Sequence, residues 1–212
     1  MKINEIFYSI QGEGTNAGRP CIFIRTSGCN LNCNWCDTKY HTEYEEMPIK
    51  KIVQELDNWN CSLVEITGGE PFLQSDILEL VDTLLELGYE VNIETNGTQH
   101  ATEVSDDVKL IVDIKCPSSG NAWNINTSKL LLAELIGTDE IKFVVADDID
   151  LKFASNMIHT YLKSFQGTIL FSPVFGKMDL NKLVNFVKKL CDNRVRVQVQ
   201  LHKIIWGNKK GV

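Results

Sequence analysis

Three cysteines lie within the eight residues CNLNCNWC, at Cys29, Cys33 and Cys36. A structural zinc site needs four ligands and usually takes them from two paired motifs. A second pair is missing from this chain, although His41 remains an alternative fourth ligand. An iron–sulfur cube normally binds four thiolates, so three thiolates leave one iron without a protein ligand and open to a small molecule. The spacing therefore predicts a 4Fe–4S cluster with an open iron.

The segment TGGEP occupies Thr67–Pro71, downstream of the cysteines. Its two glycines predict a tight turn between a strand and a helix, with Pro71 at the helix start. Because glycine has no side chain, the same turn also allows the backbone to approach a ligand closely. The same turn can therefore both join the strand to the helix and bind a ligand.

Two further features are suited to binding a ligand. The segment IQGEG, residues 10–14, offers exposed backbone, an amide and a carboxylate, although a simple glycine loop after a short strand is the alternative. Arg25 ends an otherwise apolar strand beside the cysteine segment. An arginine in that position suits a bidentate clamp on a carboxylate, and a surface salt bridge is the alternative.

The composition restricts the class of protein. The chain has 212 residues, of which 28 are acidic and 21 basic, for a formal net charge of −7. This balance argues against direct nucleic-acid binding. No apolar run reaches about eighteen residues, so no membrane helix is predicted, and the N-terminus lacks a signal peptide. A cytoplasmic protein is therefore expected.

Disulfides are disfavoured in a reducing compartment, so the four cysteines outside the motif are expected to be free. Cys21, Cys61 and Cys191 have apolar neighbours and are predicted to be buried small hydrophobes. Cys116 is predicted to lie in a loop.

Strand-length apolar runs alternate with helical patterns along most of the chain. The predicted strands are residues 21–26, 63–67, 89–95, 108–115, 140–146, 168–173 and 195–201. The predicted helices are residues 48–59, 76–87, 128–136, 149–165 and 179–191. Pro48 suits a first helical turn, Ser75 and Asp179 suit N-caps, and Gly88 suits a helix stop.

Parallel strands need crossover connections, usually helices. The alternation therefore predicts an α/β protein with a mainly parallel, curved sheet. Seven strands with few helices are too few for a complete eight-unit barrel, so a shortened, open partial (β/α) barrel is expected, as a single domain over residues 1–212. The polar, glycine-rich segments follow the strands, which predicts a site along one rim of the sheet.

The motif C-x3-C-x2-C after the first predicted strand, followed by TGGEP after the next, resembles the radical S-adenosylmethionine (SAM) superfamily. The resemblance implies a core domain of that type, in which the methionine part of SAM chelates the open iron. An electron from the cluster then cleaves SAM, and the resulting 5'-deoxyadenosyl radical abstracts hydrogen from the substrate. It also implies SAM contacts at Gly68, Gly69 and Glu70.

The segments YSIQGEGTNAGRPCIFIRTSGCNLNCNWCDT, VDIKCPSSG and QVQLHKIIWG are similar to the 7-carboxy-7-deazaguanine synthase family, and the matching motifs run from residue 8 to about residue 207. This resemblance implies a magnesium-dependent homodimer. The implied reaction converts 6-carboxy-5,6,7,8-tetrahydropterin to 7-carboxy-7-deazaguanine with loss of ammonia. The product feeds queuosine or archaeosine synthesis, and a flavodoxin or ferredoxin is the usual reductant.

The same resemblance implies roles for individual residues. It implies substrate contacts at Ile10, Gln11, Gly12, Arg25 and Thr67, with Glu13 and His202 as additions. It implies further SAM contacts at Asp113, Ile114, Lys115, Ser172 and Pro173, where this chain has Asp-Ile-Lys and Ser-Pro instead of the frequent Ser-Pro-Lys and Gln-Pro. It makes Thr38 the magnesium ligand, with Asp37 as the competing candidate.

Two other functions remain alternatives at this stage. One is an activase that installs a glycyl radical on a partner protein, which shares TGGEP and a similar size. The other is a non-catalytic iron–sulfur or zinc-binding module, which predicts no cleavage of SAM. The segments IQGEG and QLHK favour an enzyme that acts on a small molecule.

Overall fold

In the computed structural model, nine strands of the described residues, 1–39, 42–99, 103–123 and 132–212, form one sheet. The strands are β1 (Lys2–Ile10), β2 (Pro20–Thr26), β3 (Glu45–Glu46), β4 (Leu63–Gly68), β5 (Glu90–Thr95), β6 (Lys109–Asp113), β7 (Glu140–Val145), β8 (Thr168–Pro173) and β9 (Val195–Val197). Their order across the sheet is β3-β1-β2-β4-β5-β6-β7-β8-β9.

The sheet is parallel from β2 through β4 to β9. Only its first edge is antiparallel, where β1 pairs with β2 and β3 pairs with β1. The predicted α/β class and the mainly parallel, curved and open sheet are confirmed. Because all the parallel strands end at the same rim, their C-terminal loops are brought together there.

Five helices of at least six described residues each follow the strands, and residues 132–134 are a further helical stretch. They are α1 (Ile49–Leu56), α2 (Ile77–Glu86), α3 (Asp148–Thr160), α4 (Leu180–Leu190) and α5 (Leu201–Trp206). Two short 3-10 helices, Pro71–Leu73 and Pro117–Ser119, lie at the rim.

Side chains of a strand alternate between the two faces of the sheet. In β4, Val64 and Ile66 belong to the apolar core that also holds Ile52 of α1 and Leu80 of α2. Glu65 and Thr67, which alternate with them, line a cavity on the other face. The two faces therefore serve different purposes: one is packed and the other is polar.

The sequence prediction missed two strands, β1 and the two-residue β3, and extended another too far. β1, with the sequence KINEIFYSI, was expected only as a short strand before the glycine loop, but it pairs with β2 over almost its whole length. Its polar and apolar residues mix because it lies in the antiparallel edge rather than in the buried parallel part. The last strand ends at Val197 instead of residue 201, because Leu201 begins α5.

Helix ends agree with the predictions in part. Asp179 caps α4 by accepting a hydrogen bond from the Lys182 N–H, and α2 ends before Gly88. The predicted N-cap Ser75 is wrong, since Asp76 holds that position. Pro48 precedes α1 as its N-cap residue. The predicted helix over residues 128–136 is described only from residue 132 onward, and residues 132–134 are helical.

The cysteines outside the motif differ from the prediction at two positions, Cys61 and Cys191. Cys21 is buried as expected, and Cys61 is half-buried. Cys191 is exposed instead of buried, because it follows α4 in the left-handed conformation and points away from the core. Cys116 is buried in the loop after β6. Over the described ranges, no helix has the length and apolar character needed to cross a membrane.

Candidate active site

A cavity of about 660 Å³ occupies the polar face of the sheet and opens at the carboxyl ends of the parallel strands. The loop after β1, the cysteine segment and the chain from Gln200 onward complete its wall. Most of the predicted site residues line it together: Ile10, Gln11, Gly12, Glu13, Arg25, Cys29, Cys33, Cys36, Thr38, Thr67, Gly68, Gly69, Asp113, Lys115 and His202.

Four predicted SAM contacts lie outside the cavity wall: Glu70, Ile114, Ser172 and Pro173. Glu70 is fully buried, and its carboxylate accepts hydrogen bonds from the Thr95 Oγ1 at 2.8 Å and the Asn96 N–H at 2.7 Å. It therefore anchors the loop after β5. Ser172 is also buried, and its Oγ has no hydrogen-bond partner within the described structure. The roles assigned to these four residues remain predictions.

The three cysteine thiols lie along one side of the cavity, with Cys33 buried and Cys29 and Cys36 half-buried. N–H groups surround the sulfurs: the Leu31 amide lies 3.4 Å from the Cys29 Sγ, and the Asn121 Nδ2 lies 3.8 Å from the Cys33 Sγ. Burial raises the pKa of the Cys29 and Cys33 thiols, while the Lys115 ammonium opposes that rise.

This donor set fits a 4Fe–4S cluster. Among the described residues, no three His, Cys, Asp or Glu side chains converge closely enough to hold a single metal ion. Ligands of a cube need not converge, because each thiolate binds a different iron. The surrounding N–H donors are of the kind that stabilise cluster sulfurs. His41, the alternative zinc ligand, lies outside the described residues.

The cysteine segment is held from two directions. Asn34 donates its backbone N–H to the Ser119 carbonyl at 2.9 Å, and the Trp35 Nε1 donates to the Ser118 Oγ at 3.0 Å. On the other side, the Glu70 N–H donates to the Gly28 carbonyl at 2.9 Å. A Cβ on Gly69 would lie 1.9 Å from that same carbonyl oxygen, so only glycine permits this approach.

Asp113 and Lys115 connect the cysteine side of the cavity to its floor. The Lys115 Nζ lies 2.7 Å from the Asp113 Oδ2 and 5.4 Å from the centre of the Trp35 ring. The other oxygen, Asp113 Oδ1, is buried and has no partner in the described part of the chain. Burial alone would lower the pKa of Lys115, but the Asp113 carboxylate raises it above its ordinary value.

The floor of the cavity is unusually rich in charge. Lys142 of β7 contacts Glu13 and Glu94, and the Gln11 Nε2 donates to the Glu65 Oε2 at 2.9 Å. Burial raises the pKa of Glu65 to about 8, so this side chain is largely protonated at neutral pH. The floor therefore combines charged carboxylates, an ammonium and a neutral carboxyl.

The sequence analysis missed Glu65, Glu94 and Lys142. Each is a charged residue in a strand whose opposite face is apolar, as in LVEIT and EIKFVV. A charged side chain that alternates with buried aliphatic residues would have pointed to a polar interior. That signal was available, because the sequence predicts the strands that hold all three residues.

Arg25 lines the cavity and is already engaged by one carboxylate. Its Nε donates to the Glu5 Oε1 at 2.7 Å, and its guanidinium carbon lies 5.9 Å from the centre of the Phe7 ring. Both predicted alternatives for Arg25 therefore have support: an ion pair exists, and it is part of the cavity wall rather than of the open surface.

At the mouth of the cavity, Thr38 and Asp37 differ in their surroundings. The Thr38 Oγ1 lies 3.5 Å from the Cys36 Sγ. Asp37 forms a salt bridge of 3.3 Å with Lys203 of α5. The beginning of α5 also contacts the first loop, since the Leu201 N–H donates to the Gly12 carbonyl at 3.0 Å.

Comparisons with known proteins agree with this geometry. The model of the Radical SAM superfamily matches residues 23–117. The chain is 42% identical to the 7-carboxy-7-deazaguanine synthase of Methanospirillum hungatei, over 97% of this chain and 85% of that protein. It is 40% identical to the enzyme of the same name from Clostridium acetobutylicum, over 100% of this chain and 99% of that protein.

Solved structures give the same result for the fold. The crystal structure of QueE from Escherichia coli aligns with a TM-score of 0.71 at 25% identity, covering 95% of this chain and 94% of that one. Streptococcus suis SuiB bound to its precursor peptide SuiA aligns with a TM-score of 0.61 at 16% identity, covering 84% of this chain and 47% of SuiB, which is a likeness of fold alone.

Proposed function

Because this chain belongs to the 7-carboxy-7-deazaguanine synthase family of radical SAM enzymes, we propose that its cavity converts 6-carboxy-5,6,7,8-tetrahydropterin to 7-carboxy-7-deazaguanine, with loss of ammonia. The observation that carries the proposal is the shared wall: three thiols, Arg25 and the IQGEG loop all line one cavity. That arrangement suits a reaction in which SAM and a small carboxylated ring lie side by side.

Cys29, Cys33 and Cys36 would hold the cluster, and Gly68, Gly69, Asp113 and Lys115 would contact SAM from the same side. When bound, the cluster and SAM supply an electron and a carbon radical that takes a hydrogen atom from the substrate. The chain's own residues bind and orient the ring, hold the charges of the site and limit the access of water.

The substrate has one carboxylate and a ring with several N–H donors. Arg25 lines the cavity and offers a cation for the carboxylate. The floor offers the acceptors Glu13 and Glu94, together with the Gln11 amide. This distribution of charge favours a pose in which the N–H groups of the ring face Glu13 and Glu94 and the carboxylate faces Arg25.

Magnesium is proposed to bind at Thr38 once substrate is present. A neutral hydroxyl alone holds a hard cation poorly, because magnesium prefers several oxygen ligands and keeps waters. The substrate carboxylate would supply the missing anionic oxygens. The alternative ligand, Asp37, already pairs with Lys203. Its charge is therefore partly neutralised, which favours Thr38.

Turnover against magnesium concentration tests that choice. Thr38→Ala should raise the magnesium concentration needed for half-maximal rate, while Asp37→Asn should change it little. If Thr38→Ala keeps the wild-type dependence while Asp37→Asn abolishes it, the ligand is Asp37.

Several wider features are proposed from the family. They are a single core domain over residues 1–212, a homodimer, a cytoplasmic location, a flavodoxin or ferredoxin as reductant, and a product that feeds queuosine or archaeosine synthesis. The single sheet, which contains every strand of the described residues, supports the first of these. The net charge of −7 supports a free pterin, rather than a nucleic acid, as the substrate.

Anaerobic turnover of the reconstituted protein with SAM and the carboxypterin tests the main proposal, with mass spectrometry of the product. The expected product is 7-carboxy-7-deazaguanine, and the carboxypterin should accelerate SAM cleavage. If SAM is cleaved at the same rate with and without it, a protein-directed activase is favoured. Absence of SAM cleavage under all conditions would leave a non-catalytic module.

A further inference from the structure

Lys142, which lies outside the family motifs named above, is at the centre of a cluster of buried and half-buried charges. It is only 4% exposed, in the middle of β7. Its ammonium forms ion pairs with Glu13 from the loop after β1, with Glu94 from β5, and, at 3.8 Å, with Asp113 from β6. One lysine therefore joins carboxylates from three separate parts of the chain.

Two other cations of the cavity wall, Lys115 and Arg25, each have a nearer carboxylate partner than Glu13 or Glu94. Lys115 lies 2.7 Å from Asp113, and Arg25 lies 2.7 Å from Glu5. Glu13 and Glu94 share Lys142 as their charged partner. Glu13 also accepts hydrogen bonds from Gln198 and Gln200, at 3.1 and 2.8 Å, and Glu94 accepts one from Thr67 at 3.4 Å.

The charge state of this cluster follows from the competition between burial and attraction. Burial alone would lower the pKa of Lys142, but Glu13, Glu94 and Asp113 outweigh it and raise that pKa well above its ordinary value. Burial alone would raise the pKa of Glu94, but Lys142 outweighs it and lowers that pKa. Lys142 and Glu94 are therefore both ionised across the neutral range.

We propose that Lys142 is the positioning residue of the substrate end of the cavity: it holds the Glu13 and Glu94 carboxylates in place, keeps Glu94 charged, and directs both at the N–H groups of the reduced pterin ring. This inference rests on the proposed function. A charged carboxylate accepts hydrogen bonds more strongly than a neutral carboxyl. A buried carboxylate that loses its cation becomes protonated instead, because the charge is too costly to keep.

The central variant is Lys142→Met, which keeps the length of the side chain and removes its charge. Without the ammonium, burial should raise the pKa of Glu94 above its ordinary value. As pH falls through that raised pKa, Glu94 becomes neutral and binds the ring less well. The KM for the carboxypterin should therefore rise about tenfold or more near pH 6 and recover partly near pH 9.

Other titrating groups must be separated from this effect. The groups that face Lys142 or Glu94 from the surrounding elements are Glu13, Arg25, Glu65, Asp113 and Lys115. Glu65, with a pKa of about 8, titrates within the range tested. The readout is therefore the ratio of the KM of the variant to that of the wild type at each pH. Loss of Lys142 also raises the pKa of Glu65, so the same ratio is measured in a Glu65→Gln background, where Glu65 no longer titrates.

Two further variants separate positioning from folding. Lys142→Ala leaves space for a small alkylammonium ion, so added ethylammonium should lower its KM toward the wild-type value. Lys109→Met is the matched control, because Lys109 lies on the adjacent strand and pairs with Glu140 outside the cavity wall. It should leave the KM for the carboxypterin unchanged. Iron content and SAM affinity should be near the wild-type values in all three variants.

The outcomes are distinct. A KM ratio that falls with rising pH, together with rescue by ethylammonium, supports the inference. A ratio near one, or a raised ratio that is equal at every pH and insensitive to ethylammonium, overturns it while leaving the proposed function intact. Failure of the wild type to consume the carboxypterin overturns both.

Discussion

The guanidinium of Arg25 lies between Glu5 and the cavity, which makes the geometry of its nitrogens important. The Nε engages Glu5, and the prediction is that the terminal nitrogens bind the substrate carboxylate. A lysine has one nitrogen and cannot pair with Glu5 and form a two-pronged contact at the same time.

Arg25→Lys is expected to weaken binding of the carboxypterin roughly tenfold or more, since a charge-assisted hydrogen bond contributes about 1.5–3 kcal/mol. SAM binding and iron content should stay near normal. Titration of each ligand by calorimetry under anaerobic conditions measures the two affinities. Weaker SAM binding at unchanged pterin affinity would contradict the assignment.

Glu65 gives a prediction about stability. Its pKa is raised from 4.5 to about 8 in the folded protein, chiefly by burial. Between about pH 4.5 and about pH 8 the unfolded chain has lost this proton while the folded protein still holds it, so stability should fall as pH rises over that range, by up to about 1.4 kcal/mol per pH unit. Glu65→Gln removes the ionisation and keeps an oxygen that accepts from Gln11. The variant should therefore lose less stability over that range.

Melting temperatures between about pH 5 and about pH 8.5 measure the effect for the wild type and Glu65→Gln. Glu86→Gln, at an exposed position at the end of α2, is the control and should follow the wild type. Equal pH dependence in the wild type and Glu65→Gln would show that the pKa of Glu65 is the same in the folded and the unfolded protein, and would contradict the raised value.

At the level of elements, the sequence predicted what depends on local pattern. The apolar runs of β2, β4, β5, β6, β7 and β8 identified the parallel part of the sheet, because strands buried on both faces are nearly continuous in apolar residues. β1 was missed because it is defined by its pairing with β2, from Ile3 opposite Thr26 to Ile10 opposite Pro20, and not by its own pattern.

The candidate site was predictable where a short motif carried it. The cysteines and the TGGEP turn are contiguous in sequence, so their spacing is informative. The Lys142 cluster joins residues 13, 94, 113 and 142, which only the folded sheet brings together. Ser172 and Pro173 were assigned by position alone, and they lie outside the cavity wall.

The junction between the TGGEP turn and the cysteine segment gives a prediction at this scale. A Cβ on Gly69 would lie 1.9 Å from the Gly28 carbonyl oxygen and 3.0 Å from the Cys29 Cβ. Gly69→Ala must therefore push the cysteine segment away from β4. Overpacking of this kind destabilises a protein by about 1–3 kcal/mol, and here it displaces the cysteine segment.

Gly69→Ala should bind markedly less iron after reconstitution while its circular dichroism spectrum stays folded. Gly137→Ala is the matched control, since its nearest contact is an ordinary 3.8 Å to the Gln166 side chain. Iron analysis and the absorbance of the cluster measure the difference. Full iron content in Gly69→Ala would mean that the loop tolerates the shift.

At the scale of the whole molecule, two distant parts of the chain contact each other across the open side of the barrel. The sheet ends at β3 on one edge and at β9 on the other, so the gap must be filled by loops. The Leu201 N–H donates to the Gly12 carbonyl, and Lys203 pairs with Asp37, which ties α5 to the first loop and to the cysteine segment. The substrate end of the cavity therefore depends on residues about 190 positions apart in sequence.

Gly12 allows this closure because its missing side chain leaves room for His202. A Cβ at position 12 would lie 2.4 Å from the His202 Nδ1 and 3.3 Å from the backbone nitrogen of that residue. Gly12→Ala should therefore displace the imidazole from the cavity wall. Because His202 is a predicted substrate contact, the variant should raise the KM for the carboxypterin, while iron content and SAM affinity stay near the wild-type values.

A double-mutant cycle shows whether the effect passes through His202. If Gly12→Ala acts by displacing that ring, it should have little further effect in a His202→Ala background, because residues in direct contact commonly couple by about 0.5–3 kcal/mol. KM values for the wild type, the two single variants and the double variant provide the coupling energy. Additive effects would mean that Gly12 and His202 act independently. The two ends of the chain would then contribute separately to the site, and closure of the barrel gap would not be what brings the His202 ring to the substrate.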